Sequence, residues 1–125
     1  MKIFTIDEAN EMLPVVRPKL DRLKYLYAAV AALRGHAKSA AAASGSGGGG
    51  MVGGSIYVEA LNEMSKMMSK LGGDGIELKD ISRGLIDFPC LRDGRLVLLC
   101  WQLGEPESIE WWHEAEAGFA GRQRL

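Results

Sequence analysis

The sequence has few of the residues from which covalent frameworks and metal clusters are usually built. It contains two cysteines and two histidines among 125 residues. Two cysteines are too few for a disulfide framework, so we expect free thiols at Cys90 and Cys100. No Cys-x-x-Cys or His-x-x-x-His pair occurs, although such close pairs are common in metal sites. The close-pair signature of a metal site is therefore missing from this sequence.

The sequence also lacks an excess of basic charge and a long apolar run. Its formal net charge is -1, and we expect no nucleic acid partner, because such partners are held largely through their phosphates. No stretch is long and apolar enough to span a bilayer, and the opening residues pass into Asp7 and Glu8 without the apolar segment of a secretory signal. These features predict a cytoplasmic protein with no membrane partner. The length predicts a single domain over residues 1–125.

The first segment of the chain has the pattern of a long helix. Thr5 and Glu8 form a capping box at its start. Pro14 and Pro18 each remove an amide donor and crowd the preceding turn, so we expect a short helix to about Met12 and a kink before a long one. Its apolar stripe, at spacings of three and four, consists of Leu13, Val16, Leu20, Leu23, Tyr27 and Val30.

A glycine-rich stretch separates this helix from a second one. We expect a flexible loop over about residues 39–55, because glycine makes a fixed backbone entropically costly. A second helix is predicted from about Ser55 to Leu71, where apolar residues again recur every three or four positions. The two helices should pack as an antiparallel hairpin. Methionines on the second helix either fill the core, which is their commoner use, or line an adaptable binding groove.

The last third of the chain has the two-residue period of strands. Three strands are predicted, at residues 76–79, 85–88 and 95–101, with Asp93-Gly94 as a tight turn between the last two. A two-residue turn opposes Arg92 to Arg95, Cys90 to Val97, Phe88 to Leu99 and Asp87 to Cys100. Pro89 cannot donate to the ladder, which predicts an edge or a bulge there.

The end of the chain is predicted to be helical. Pro106 is typical of a first helical turn and Gly118 of a helix end. The fold class is therefore α+β, with a helical hairpin packed with a small antiparallel β-meander and a short C-terminal helix.

The C-terminal third also holds a candidate metal site. The predicted helix puts His113 and Glu116 one turn apart, and the hairpin register brings Asp87 and Cys100 near the point where the chain leaves the sheet. The candidate ligands, of types acceptable to zinc or iron, are Asp87, Cys100, Glu105, His113 and Glu116.

Three of these residues have a structural alternative. His113 could be a buried histidine satisfied by Glu116 or by a backbone carbonyl, and Cys100 could be a small core residue. A carboxylate at a half-buried site is costly unless it is paired. Asp87 could therefore belong to a structural ion pair with an arginine, for which the candidates are Arg83, Arg95 and Arg122.

A second set of residues indicates an interface. Adjacent Trp111 and Trp112 must point to different sides of the predicted C-terminal helix, so at least one lies outside the core, and exposed tryptophans are typical interface anchors. Both faces of the predicted β-hairpin are apolar, which favours a homodimer or higher homo-oligomer. The candidate interface residues are Trp111, Trp112, Met64 and Met68.

Several short strings of residues resemble a known family, the bacterial domain of unknown function 2203. They are residues 4–10 with Leu13-Pro14, residues 75–80, residues 84–89, Asp93-Gly94-Arg95, Leu99-Cys100-Trp101, Gly104-Glu105, Trp112-His113 and residues 118–122. The resemblance implies a small bacterial cytoplasmic protein without an assigned activity. It also implies a shared purpose for Asp87, Cys100, Glu105, His113 and Arg122.

These features lead to competing functional hypotheses. The first is a self-associating interaction module without catalytic activity. The alternative is a protein that binds zinc or iron, either for binding alone or as a metal-dependent enzyme. A redox-sensing thiol at Cys90 or Cys100 is a third, and it requires a thiolate near positive charge.

Overall fold

The computed structural model of the chain describes residues 1–44 and 54–125, with the side chains of residues 36–44 left out. The helices are α1 (Ile6–Ser44) and α2 (Gly54–Gly73). The strands are β1 (Glu77–Asp80), β2 (Leu85–Arg92), β3 (Arg95–Gln102), β4 (Trp111–His113) and β5 (Gln123–Arg124), with a short 3-10 turn at Phe119–Gly121. The α+β fold class, with a helical hairpin and a β-meander, is confirmed.

Helix α1 begins at the predicted capping box. The Thr5 hydroxyl accepts a hydrogen bond from the Glu8 amide at 3.0 Å, and the Thr5 amide donates to the Glu8 carboxylate at 2.9 Å. The prediction of a separate short helix to Met12 is wrong, because α1 continues through Pro14 and Pro18. Both prolines lie on the exposed side of the helix, where water can hydrate the carbonyls that they leave without an amide partner.

The far end of α1 extends beyond its predicted limit. Residues 39–44, assigned from sequence to the loop, belong to the helix. They are mostly alanine, the residue with the strongest helix propensity. Helix α2 likewise includes Gly54 and Ser55. The rest of the predicted flexible loop, residues 45–53, lies outside the described residues.

The two helices pack side by side and run antiparallel. Arg22 of α1 pairs with Glu63 of α2 at 2.6 Å. Arg34, further along α1, donates to the hydroxyl of Tyr57, which lies earlier in α2, at 3.1 Å. Contacts that lie later in α1 therefore lie earlier in α2, so the two helices are antiparallel. Along the stripe of α1, Leu26 is buried and the predicted Tyr27 is 46% exposed. None of the helices in the described part of the chain is both long and apolar enough to cross a membrane.

The five strands form one antiparallel meander in the order β1-β2-β3-β4-β5. The predicted register of β2 and β3 is confirmed, with Arg92 opposite Arg95 and Asp87 opposite Cys100. Pro89 stays in register opposite Leu98, at a part of β2 that β1 does not reach. The Phe4 amide donates to the Pro89 carbonyl at 2.7 Å, so this edge is covered by the N-terminal segment.

The predicted C-terminal helix is wrong for residues 105–117. Trp111–His113 instead form β4, which pairs with β3 and places Leu99 opposite Trp112. Two adjacent tryptophans and a histidine suit a pleated surface, and pairing satisfies the backbone groups along the edge of β3, which a helix would leave open. The 3-10 turn at Phe119–Gly121 is the short helical element that remains at this end.

The two faces of the sheet have different environments. One face carries Ile86, Phe88, Leu99 and Trp101, which join the helices in the hydrophobic core. Because side chains alternate along a strand, the neighbouring residues of β2 and β3 point away from the helices. The outer face of the sheet therefore holds Asp87 and Cys100, and the candidate functional residues lie there.

Candidate functional site

Three adjacent strands each contribute one buried residue of a metal-ligand type to the outer face. Asp87 of β2 lies directly opposite Cys100 of β3, and His113 of β4 lies opposite Leu98, two residues along β3 from Cys100. Opposed residues share a face of a sheet, so all three side chains project to the same side. We call Asp87, Cys100 and His113 the polar triad. A carboxylate oxygen, the thiol sulfur and an imidazole nitrogen of the triad all lie within 4.8 Å of one another.

The triad is buried. Asp87 is 2% exposed, His113 3% and Cys100 1%. Asp87 and His113 are the two buried polar residues among those that the structure describes. Groups of this kind are costly to bury unless they are paired or bind an ion.

The hydrogen bonds of His113 determine how many protons the triad holds. Its Nδ1 lies 2.8 Å from the backbone carbonyl of Glu114, and its Nε2 lies 3.0 Å from Oδ2 of Asp87. A carbonyl can only accept, so Nδ1 carries a hydrogen. The contact between Nε2 and Oδ2 then needs one more proton, on either the imidazole or the carboxyl. The pair shares this proton, and it is the one that a metal ion bound to Nε2 would displace.

The Asp87 carboxyl is only partly satisfied. Its second oxygen, Oδ1, is buried without a hydrogen bond of ordinary geometry, and the weak thiol donor of Cys100 contacts the same carboxyl. Burial raises the pKa of the Asp87 carboxyl above its ordinary value, although the charge of His113 acts in the opposite direction. A buried carboxylate oxygen without a donor is unusual in a folded protein and calls for an explanation such as a bound ion.

The Cys100 thiol is protonated at neutral pH in the absence of a metal. Burial, followed by the negative charge of Asp87, raises the pKa of Cys100 to about 12. Burial also raises the pKa of Cys90, which lies on the core side of the sheet. Both cysteines are free. A redox-sensing thiolate at either position is therefore disfavoured, because reactivity requires a lowered pKa.

A cavity of about 160 Å³ borders the triad. Its remaining walls come from Leu85 and Leu98 of the sheet, from Lys79 of β1, and from the segment after β4. That segment, residues 114–121, we call the covering segment, since it passes over the outer face of the sheet. Its Gly118 has φ 61° and ψ -163°, a conformation that is essentially limited to glycine. The backbone turn over the cavity therefore depends on this glycine.

Arginine and aromatic contacts hold the covering segment in place. Phe119 contacts two guanidinium groups, with Arg83 4.1 Å and Arg122 4.5 Å from its ring centroid. Arg122 also donates to Glu105 at 2.5 Å and lies 3.9 Å from the Cys100 sulfur. Arg122 is 9% and Glu105 17% exposed, so this ion pair is largely shielded from water. A positive charge beside Cys100 favours the thiolate form.

The structure separates the five candidate ligands. It brings together Asp87, Cys100 and His113. Glu105 instead accepts hydrogen bonds from the Gln102 amide and from Arg122, and Glu116 is exposed on the covering segment. The helical turn that would have joined Glu116 to His113 does not form.

The structural partners proposed from sequence also differ from those observed. Asp87 pairs with His113 and with none of the three candidate arginines. Arg83 stacks on Phe119, Arg95 pairs with Glu114, and Arg122 pairs with Glu105. The backbone-carbonyl partner expected for a buried His113 is present, at Glu114.

The candidate interface residues occupy different environments. Met64 is buried in the core, whereas Met68 is 41% exposed. Trp112 is half-buried and packs against the core, with Arg92 over its ring. Trp111 is half-buried on the outer face, where Arg122 and Arg124 stack on it.

Sequence reasoning missed Lys79 and Phe119 as neighbours of the triad. For Lys79 the available signal was the alternation of β1, which puts Lys79 on the same face as Glu77, the residue opposite Asp87. The register of β1 and β2 shifts after Leu78, and the sequence alone does not show where the shift leaves Lys79 relative to Asp87. Phe119 gave no signal, because its position follows from the turn at Gly118.

These observations define a small α+β protein in which a helical hairpin backs a five-stranded meander and a buried Asp/Cys/His triad lies on the opposite face. The chain belongs to the family described as "Uncharacterized conserved protein (DUF2203)", whose model matches residues 2–125. No curated protein and no solved structure matches the chain.

Proposed function

We propose that the protein binds a divalent transition metal, zinc in the first place or iron, through the polar triad. The ligands are the Asp87 carboxylate, the Cys100 thiolate and Nε2 of His113. The observation that carries the proposal is the buried Asp87 Oδ1, which has no hydrogen-bond partner and belongs to a group of three ligand types within 4.8 Å.

The orientation of His113 supports this proposal. Metal-binding histidines commonly donate their second ring nitrogen to a carbonyl or carboxylate, which fixes the ring and the ligating nitrogen. In this chain Nδ1 is held by the Glu114 carbonyl. Nε2 therefore faces the other two ligands, as a metal site requires.

The ligand types also suit the proposed metals. Thiolate, imidazole and carboxylate are all ligands of zinc, with bonds of about 2.0–2.3 Å. Ligand atoms around a tetrahedral zinc lie about 3.3–3.8 Å apart at those bond lengths. On binding, the longest separation in the triad, at most 4.8 Å, would shorten by about 1 Å, whereas the 3.0 Å contact between Nε2 and Oδ2 would lengthen by roughly 0.3 Å. Side-chain rotation can supply both changes.

Three protein ligands beside a cavity leave a coordination position open. Closed sites with four protein ligands are typical of structural zinc, whereas three ligands and an open position are typical of catalytic zinc. The cavity of about 160 Å³ provides this position. Catalysis at such a site is a further part of the proposal.

We also propose a cytoplasmic location. The two free cysteines support it, because disulfides are rare under the reducing conditions of the cytoplasm.

The test is a zinc titration against a chromophoric chelator. The wild-type chain is expected to take up one equivalent, and His113→Asn is expected to weaken binding at least a hundredfold. Glu116→Gln is the matched control, because Glu116 was a candidate ligand by sequence but is exposed. Equal affinity in wild type and His113→Asn would refute the proposal.

We also propose self-association, on a different observation. Helix α2 exposes Val58, Leu61 and Met68, at 54%, 38% and 41%. Their spacing of three and seven residues places them on one stripe, as in helix-helix interfaces. The partner is a second copy of the chain. Light scattering at micromolar concentration should give a dimer mass that Met68→Glu lowers to the monomer, whereas a monomeric wild type would remove the idea.

A further inference from the structure

We infer that the open coordination position takes a small carboxylate anion, with Lys79 as its counter-charge. This inference deepens the proposed metal site and rests on it. The juxtaposition that carries it is a cavity with the triad at one end, a lysine in its wall and apolar side chains around the rest.

Charge explains why an anion needs Lys79. A divalent ion bound to the Asp87 carboxylate and the Cys100 thiolate has no net charge left to attract a further anion. Among the described residues that line the cavity, Lys79 is the one cationic side chain outside the triad. It is 43% exposed, so it reaches from the cavity to solvent and lies where an anion would enter.

Lys79 already forms an ion pair with a neighbouring acidic side chain. Its ammonium lies 2.7 Å from the Glu77 carboxylate, which is 38% exposed. The Glu77 carboxylate therefore occupies the ammonium group that a carboxylate ligand would also bind. An incoming carboxylate would share or replace this contact.

Size and lining limit the class of anion. A volume of about 160 Å³ corresponds to about five water molecules at roughly 30 Å³ each. Leu85, Leu98 and Phe119 supply apolar walls, which favour an anion with a short hydrocarbon part over a fully hydrated ion. The ligand class is thus a short-chain carboxylate, bound by its oxygen to the metal.

The test uses the cobalt(II)-loaded chain and propionate. Cobalt substitutes for zinc and gives visible bands that report its coordination, including a thiolate charge-transfer band from Cys100. Propionate is expected to shift the ligand-field bands in a saturable way. Lys79→Gln should weaken propionate binding roughly fivefold, the upper range for a partly exposed ion pair, and Glu77→Gln should strengthen it by removing the competing carboxylate.

Lys66→Gln is the matched control, because Lys66 is an exposed residue of α2 and its loss should leave propionate binding unchanged. Cobalt spectra that propionate does not alter would refute this inference and leave the metal site intact. An equal effect of the Lys66 and Lys79 changes would refute the role of Lys79. Failure of the chain to bind cobalt with a thiolate band would overturn the proposed metal site itself.

Discussion

Replacing Asp87 with asparagine should separate the stability of the fold from metal binding. Asparagine has nearly the shape of aspartate and no charge. Its amide nitrogen can donate to Nε2 of His113, since Nδ1 already donates to the Glu114 carbonyl. The buried contact is therefore preserved in neutral form, while the anionic ligand is lost. We expect Asp87→Asn to fold and to bind zinc at least a hundredfold more weakly.

The magnitude for the metal-free chain follows from the unsatisfied oxygen. Asp87 Oδ1 is buried without a partner, and such a group costs about 1–3 kcal/mol, more when it is charged. Asparagine lowers this cost because the amide is neutral. The free energy of unfolding of Asp87→Asn should equal that of the wild type or exceed it by up to about 2 kcal/mol at pH 8.

The pH dependence has a definite sign. Burial raises the pKa of Asp87 above its ordinary value of 3.8, so the folded chain holds this proton more tightly than the unfolded chain does. Its contribution to stability is complete below pH 3.8 and is lost as pH rises through the folded pKa. The stability advantage of Asp87→Asn should therefore increase from pH 4 upward and then level off.

The assay is urea unfolding followed by tryptophan fluorescence, with chelator present, at several pH values from about 4 to 8. Asp80→Asn is a control of opposite sign, because the hydrogen bond from Ser82 lowers the pKa of Asp80. That carboxylate contributes stability above its ordinary pKa, and Asp80→Asn should lose it. A loss of more than about 2 kcal/mol in Asp87→Asn at pH 8 would show a structural ion pair, and unchanged zinc affinity would show that Asp87 is no ligand.

Three further outcomes are expected. Zinc binding should release at least one proton per chain at pH 7, from the Cys100 thiol, whose pKa in the metal-free chain is about 12; calorimetry in buffers of different ionisation enthalpy measures this number, and release near zero would contradict the ligand set. In the metal-free chain a thiol reagent should label Cys100 more slowly than a model peptide at pH 7, because its pKa is about 12, and a faster rate would contradict its protonated state. Arg122→Met should destabilise the fold by about 2–4 kcal/mol, because it leaves the Glu105 carboxylate without its ion-pair partner. Adding Glu105→Gln to Arg122→Met should recover part of this loss. Thermal unfolding of the single and double variants tests this, and an Arg122→Met variant as stable as the wild type would show that the ion pair contributes nothing.

Sequence reasoning reached far into the fold because local signals agreed there. The capping box at Thr5 and Glu8, the two amphipathic helices and the Asp93-Gly94 turn each act over a few residues. The turn fixed the register of β2 and β3, and with it the opposition of Asp87 and Cys100. Two of the three triad residues were thereby placed correctly relative to each other.

The segment after β3 was beyond local reasoning. Pro106 and Gly118 are typical of helix ends, yet the edge of β3 offers backbone partners to Trp111–His113, and that long-range pairing outweighs local propensity. His113 reached the triad by a strand instead of a helix. The same change moved Glu116 to the surface, because its predicted place depended on the helical turn.

The prolines show a similar competition. Pro14 and Pro18 lie on the exposed side of α1, while its opposite side buries Leu13, Val16 and Leu20. Burial of this stripe stabilises the helix on both sides of the prolines, and the missing hydrogen bonds are left to water. The sequence shows the prolines but does not show how much tertiary packing opposes the break.

The most direct measurement is metal analysis by mass spectrometry of the untagged chain, purified without chelator, for wild type, Cys100→Ala and Cys90→Ala. The two cysteines are a matched pair, since both are free and buried but only Cys100 lies in the triad. A zinc or iron content near one per chain in wild type and Cys90→Ala, lost in Cys100→Ala, is the predicted result. Equal metal content in Cys100→Ala and Cys90→Ala would contradict the proposed site.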